Sequence, residues 1–169
     1  MNPSSITHTI SFFIYWLLQV LFFRNIALFD TAFCFVYIGF LLLLPLETSL
    51  TTLLVLGFGM GLAVDVFYDT AGVHAATTVI IAFIRPSIIQ FIRPSGGYDN
   101  VETPTLSKLG FNWFATYAGI MLFLHHSILF LIQGSSFSLW LSNFLSIIAS
   151  TILSLFVLII GQLLFYRSR

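Results

Sequence analysis

The chain has 169 residues, of which 59% are hydrophobic and only 7% are charged, and its formal net charge is zero. Soluble domains carry about 25% charged residues, so this composition excludes an ordinary soluble domain, and a neutral chain lacks the basic patch expected of a nucleic-acid-binding protein. The apolar runs are continuous and do not alternate, which predicts an all-α integral membrane protein and argues against a β-barrel.

Six membrane-spanning helices are predicted within one transmembrane domain that covers residues 1–169. In chain order they lie at about 6–23, 29–44, 50–68, 72–92, 111–132 and 139–166. Pro86 is expected to kink or shorten the fourth span, because proline removes a helical hydrogen bond. The only polar connection of any size is 93–110, so the sequence leaves no room for a soluble domain.

The basic residues predict the orientation. Six spans place both termini on one side, and Lys and Arg favour the cytoplasmic side. Only Arg24 falls on the other side. The side of the termini carries Arg93, Lys108, Arg167 and Arg169, together with Arg85 if its side chain extends toward the membrane surface. Both termini are therefore predicted to be cytoplasmic, and these residues form a candidate basic cytoplasmic interface.

A short repeat supports this assignment of the basic residues. The pentapeptide "FIRPS" occurs at 83–87 and again at 91–95. We interpret the repeat as a local feature that positions Arg85 and Arg93 to reach lipid head-group phosphates. A docking site for a cytoplasmic partner is the alternative interpretation.

Ionisable residues within a span mark a candidate functional site. Gly57, Gly61, Asp65 and Asp69 recur every four residues, so they form one stripe along the third predicted helix. The two glycines make a GxxxG pattern that permits close helix approach. The aspartates are thus predicted to face another helix, although Asp69 lies near the end of the span.

Three histidines are predicted to lie at a similar depth. His74 begins the fourth span, and His125 and His126 fall in the corresponding half of the fifth. On that fifth span, Ala115 and Gly119 share a face with His126 and form a second stripe of small residues. Asp65, Asp69, His74, His125 and His126 therefore make up a candidate buried polar cluster.

Three interpretations of this cluster stay open at the level of sequence. The residues form structural interhelical hydrogen bonds, or a proton relay or ligand pocket, or a metal site. No HExxH motif supports a metal site, and no GxSxG motif supports a hydrolase. The protein is accordingly predicted to be non-enzymatic and to have no cofactor.

Three stretches resemble the bacterial rod-shape-determining MreD family, in the form found in Bacteroidetes. The strongest is "GLAVDVFYDTAGVHAATTVIIAFIRP" at 61–86. The others are "LLQVLFFRNIAL" at 17–28, with Gln19 and Asn25, and "LLLLPLETS" at 41–49. The positions matching the central pattern are Gly61, Asp65, Gly72, His74, Ala75, Ala76, Arg85 and Pro86.

The resemblance implies a membrane scaffold of the cell-elongation machinery. Members of that family lie in the bacterial inner membrane, bind the single-span periplasmic scaffold MreC, and act with MreB and with RodA and its penicillin-binding protein. Their fold is thought to be similar to the S components of energy-coupling-factor vitamin transporters. A vitamin-binding S component is therefore the alternative function. The first span argues against it, because "ISFFIYWLLQVLFF" contains no alanine or glycine for close docking of a transport partner.

Overall fold

The computed structural model describes residues 3–99, 101–133 and 140–165. The chain is mostly helical over these residues, and five of the helices are long and apolar enough to cross a membrane. The elements in chain order are α1 (Pro3–Leu17) with a π-helical continuation (Leu18–Phe23), β1 (Ala27–Leu28), β2 (Ala32–Phe33), α2 (Ile38–Leu42), α3 (Leu50–Tyr68), α4 (Val73–Phe91), α5 (Leu106–Leu109), α6 (Phe111–Gln133) and α7 (Trp140–Phe165).

Five of the six predicted spans correspond to long helices. Their apolar parts are Ile6–Phe23, Leu50–Tyr68, Val73–Phe91, Phe111–Gln133 and Asn143–Phe165. The expected shortening at Pro86 does not occur, because α4 continues through this residue to Phe91.

The span predicted at 29–44 was wrong as a continuous helix. β1 and β2 pair as a short antiparallel hairpin, and a short irregular stretch that ends in a turn then leads into the five-residue helix α2. The run is apolar because the protein itself buries it. Its fully or nearly buried members are Cys34, Phe35, Val36, Tyr37, Ile38, Phe40, Leu41, Leu42 and Leu44. Hydropathy alone does not distinguish such a buried segment from a lipid-facing helix.

This buried segment still passes through the bundle. The Phe35 ring lies 5.6 Å from the His74 ring at the start of α4. The carbonyl of Leu44 accepts a hydrogen bond from Arg85, near the other end of the same helix. Eleven residues of α4 separate these two positions, or ~16 Å at 1.5 Å per residue. The segment from Phe35 to Leu44 therefore runs alongside α4 over about half of the ~30 Å thickness of a bilayer core.

The same end of the bundle holds the start of α1 and the end of α7. Thr7 and His8 line a small cavity together with Thr103 and Thr105 from the connection between α4 and α6. Gln162, near the end of α7, accepts a hydrogen bond from the backbone N–H of Leu106. Both terminal helices thus meet the 93–110 connection.

Helices α3 and α4 pack closely at the predicted glycine stripe. A Cβ at Gly57 would lie 3.1 Å from the carbonyl oxygen of Thr78, and one at Gly61 would lie 2.5 Å from the Cα of Ala75. The Thr78 hydroxyl also donates to the Gly57 carbonyl at 2.7 Å. The glycines therefore allow backbone-to-backbone contact between these helices.

Gly61→Ala is expected to destabilise the protein because the new methyl group meets backbone atoms of α4 that cannot move independently. Overpacking of this kind costs about 1–3 kcal/mol. Gly59→Ala on the same helix is the matched control, since a Cβ there has no heavy atom within 4 Å among the described residues. Thermal unfolding in mild detergent should show a lower midpoint for Gly61→Ala only. Equal midpoints for the two variants would contradict the close contact.

Candidate functional site

A non-helical stretch of backbone lies inside the bundle and is held by side chains. We call residues 33–37 the strap. The N–H groups of Phe33 and Phe35 donate to the hydroxyls of Ser150 and Ser154 on α7, at 2.9 and 3.0 Å. Non-helical backbone at membrane depth is tolerated only where protein groups satisfy it. The two serines meet this requirement on the α7 side.

Gln19 satisfies the strap from the other side. Its Oε1 accepts from the N–H groups of Val36 at 2.7 Å and Tyr37 at 3.3 Å. Its Nε2 donates to the Cys34 carbonyl at 3.1 Å and to the Tyr68 hydroxyl at 2.6 Å. Gln19 lies in the π-helical stretch and is the buried residue of that stretch. Its amide thus replaces the hydrogen bonds that a helix would have supplied.

Tyr37 links two of the predicted histidines. Its hydroxyl lies 3.0 Å from Nδ1 of His74 and 2.7 Å from Nε2 of His125, and all three side chains are fully buried. One hydroxyl proton serves only one of the two nitrogens, so the other nitrogen must carry a proton and donate to the tyrosine oxygen. The two histidines therefore share one tautomer, both protonated at Nε2 or both at Nδ1.

The ring nitrogens of His74 and His125 that do not contact Tyr37 have no hydrogen-bond partner among the described residues. These atoms are Nε2 of His74 and Nδ1 of His125. Leaving a buried polar atom unpaired costs about 1–3 kcal/mol. The tautomer requirement makes one of these atoms a free donor and the other a free acceptor.

His126 contacts the backbone of its own helix, α6, and a serine that holds the strap. Its Nδ1 lies 2.7 Å from the Leu122 carbonyl, so this nitrogen carries the proton and donates. Its Nε2 lies 3.5 Å from the hydroxyl of Ser154, the same hydroxyl that accepts from the strap. His126 therefore helps to orient the serine that holds Phe35.

Asp65 lies on α3 and caps the N-terminal end of α4. Its carboxylate accepts from the Thr70 hydroxyl at 2.5 Å and from the N–H groups of His74 and Ala75 at 3.0 and 2.9 Å. The residue at the usual capping position, Gly72, offers no side chain. A carboxylate at this helix end also opposes the positive end of the helix dipole. The geometry assigns Asp65 a structural role.

Asp69 does not belong to the buried cluster. It is exposed and ends α3 in the left-handed conformation, with φ of 54°. The four-residue spacing breaks down here because the helix ends at Tyr68, so the side chain leaves the packing stripe. Including Asp69 in the polar cluster was therefore wrong.

Arg85 is not part of a basic surface, which corrects the prediction that it reaches the lipid head groups. It is fully buried, and its guanidinium donates to the carbonyls of Leu42 and Leu44 and to the Tyr117 hydroxyl. A longer bond of 3.4 Å reaches the Pro45 carbonyl. The side chain turns inward because the end of α2 presents carbonyls that no helix partner satisfies.

The other predicted positions are dispersed. Arg93 and Lys108 are exposed on the 93–110 connection, whereas Arg167 and Arg169 lie outside the described residues. Ala115 is half-buried on α6, and a Cβ at Gly119 would make only an ordinary 3.8 Å contact with Leu155 of α7. The stripe on α6 is thus looser than the stripe between α3 and α4.

The side chains that form hydrogen bonds to the buried segment are mainly neutral, and their role was not predicted from the sequence. Gln19, Tyr37, Ser150, Ser154 and Tyr117 satisfy the irregular segment and its arginine. A glutamine within an otherwise apolar span and two serines four residues apart were the available signals.

The two polar regions of the bundle are separated by an apolar layer. On α6 the residues between Tyr117 and His125 include Ala118, Met121 and Leu122, all fully buried. Within the described part of the chain, no three His, Cys, Asp or Glu side chains are placed to hold a metal ion. Comparisons with protein-family models, curated proteins and solved structures found no match to this chain.

Proposed function

We propose that the chain is a non-enzymatic membrane scaffold of the bacterial cell-elongation machinery. In this proposal it lies in the inner membrane, binds an MreC-like single-span partner, and acts with RodA, its penicillin-binding protein and MreB. It thereby supports lateral peptidoglycan synthesis and cell shape. The proposal begins from the resemblance of residues 17–28, 41–49 and 61–86 to the MreD family.

One observation carries the proposal beyond the resemblance. The residues that carry the likeness are engaged with one another or with the strap. Gln19 holds the strap, Gly61 contacts Ala75, Asp65 caps α4, and Arg85 holds the end of α2. A family pattern composed of such residues specifies the internal packing of the bundle. It leaves the lipid-facing surface free to bind other membrane proteins, as a scaffold requires.

A lateral groove offers a surface for the proposed partner helix. The groove has a volume of about 600 Å³ and lies between α1 and α7. It is lined by apolar residues and by two small ones, Ser11 and Gly161. A Cβ at Gly161 has no heavy atom within 4 Å among the described residues, so this glycine is not needed for packing inside the chain. A small residue that lines a groove in this way permits close approach by a partner helix.

Gly161→Leu is expected to reduce recovery of the partner roughly tenfold or more, because the leucine side chain fills the groove. A tenfold reduction corresponds to a loss of about 1.4 kcal/mol of binding free energy. Gly59→Leu is the matched control, since this glycine on α3 is also unobstructed but lies outside the groove. The measurement is quantitative mass spectrometry of proteins that co-purify with the tagged chain in mild detergent. Recovery of an MreC-like protein with both variants would place the partner elsewhere. Recovery of a vitamin together with an ATPase module, and no such partner, would favour the S-component alternative.

The proposed orientation places the 93–110 connection in the cytoplasm with both termini. Arg93 and Lys108 are exposed on this connection, which fits the preference of basic residues for the cytoplasmic side. A reporter fused after Arg169 should therefore be active only in the cytoplasm. Activity confined to the periplasm would contradict the orientation.

A further inference from the structure

Phe35 of the strap lies among five polar aromatic rings. Its ring centroid is 5.6 Å from those of His74 and His126 and 5.9 Å from that of His125. The rings of Tyr37 and Tyr68 lie at 6.2 and 6.4 Å. We call these five surrounding rings the aromatic chamber. An ordinary apolar core offers aliphatic neighbours to a phenylalanine, whereas this chamber offers rings that carry nitrogens and hydroxyls.

The chamber has hydrogen-bonding capacity that Phe35 cannot use. Nε2 of His74 and Nδ1 of His125 are buried without a described partner, and the tautomers set by Tyr37 make one a donor and the other an acceptor. A phenylalanine ring satisfies neither atom. Unpaired buried groups of this kind reject an apolar occupant and favour one that can pair with them.

The strap carries Phe35, and its backbone is hydrogen-bonded to surrounding side chains, as the backbone of a bound peptide is. The N–H groups of Phe33, Phe35 and Val36 donate to side chains of Ser150, Ser154 and Gln19. The hairpin that leads into it turns at Phe29 and Asp30, both in the left-handed region with φ of 54° and 52°. Phe35 is thus placed by a non-helical segment that also carries Tyr37, whereas the other four chamber rings come from α3, α4 and α6.

We propose that the aromatic chamber is a binding site for a planar aromatic ring bearing a hydrogen-bonding group, and that Phe35 of the chain's own strap occupies it. The ligand class is a small phenol-like or heteroaromatic molecule. Its ring makes tilted and edge-to-face contacts with the chamber rings, as the Phe35 ring does, and its polar group pairs with one of the free imidazole nitrogens. This site is separate from the lipid-facing groove between α1 and α7, so it stands independently of the scaffold proposal.

The first test adds a hydroxyl to the occupant. Phe35→Tyr places a polar group among rings with unpaired nitrogens, so its thermal midpoint in mild detergent should equal or exceed that of the unmodified protein. Phe114→Tyr is the control, because Phe114 is also buried but, among the described residues, has no histidine ring packed against it as Phe35 has. The control should unfold several degrees lower, since its hydroxyl lacks a partner. An equal loss in both variants would overturn the proposal.

The second test removes the occupant. Phe35→Ala should gain saturable binding of 4-fluorophenol, measured by fluorine NMR, with a preference of roughly tenfold over fluorobenzene, since one hydrogen bond supplies about that discrimination. Phe114→Ala, with a cavity of similar size, should show no such preference. Adding His125→Leu to Phe35→Ala tests the source of the preference, which should fall. If folded Phe35→Ala binds both probes equally or binds neither, the chamber is ordinary core and the proposal is wrong.

Discussion

Arg85→Met is expected to lower the free energy of unfolding by about 3–5 kcal/mol, because it removes the donors that satisfy buried carbonyls of Leu42 and Leu44 and the Tyr117 hydroxyl. For a chain of this size, such a loss corresponds to a fall in the thermal midpoint of roughly 6–20 °C. Thermal unfolding in mild detergent, followed by circular dichroism, measures the change.

The repeated pentapeptide supplies the control for this experiment. Arg93 occupies the same place in the second "FIRPS" as Arg85 does in the first, but it is exposed. Arg93→Met should change stability by no more than about 0.5 kcal/mol. Arg85→Lys should fall between the two, because an ammonium group does not reproduce the planar fork of a guanidinium. Equal midpoints for Arg85→Met and Arg93→Met would contradict the role assigned to the buried arginine.

Asp65→Leu is expected to cost about 3–5 kcal/mol, since it leaves the N–H groups of His74 and Ala75 unpaired at a buried helix end and also removes the Thr70 contact. Asp65→Asn should be milder, at about 1–2 kcal/mol. Its amide oxygen retains the bonds made by one carboxylate oxygen, whereas its NH₂ group faces the Ala75 N–H and cannot accept from it. The same unfolding measurement ranks the two variants.

Asp69→Asn is the control for the cap, because Asp69 is exposed and asparagine tolerates the left-handed conformation found there. Its stability should match that of the unmodified protein. Partner recovery should follow stability in all three variants. If Asp65→Asn abolished function while stability and complex formation stayed normal, Asp65 would have a proton-transfer or ligand role and not a structural one.

Hydropathy predicted the five long helices well because each is a continuous apolar run with a polar stop. It was wrong for 29–44, since apolar residues are required equally in a lipid-facing helix and in a segment that the protein buries. The distinguishing information is non-local. The strap is possible because Gln19, Ser150 and Ser154 supply its hydrogen bonds from far along the chain.

The same limit applies to the charged residues. Periodicity placed Gly57, Gly61 and Asp65 on one packing face, and the structure places all three against α4. Periodicity failed for Asp69 because it cannot locate the end of a helix to one residue. Arg85 and Arg93 share a local sequence, so only the position of α2 decides that the first turns inward.

Depletion of the chain in the cells that produce it, with cell width followed by microscopy, tests the scaffold proposal most directly. The proposal predicts that cells lose rod shape and round up, and that shape is restored by the unmodified chain and by Gly59→Leu but not by Gly161→Leu. Cells that keep their width after complete depletion, while uptake of a vitamin falls, would contradict it.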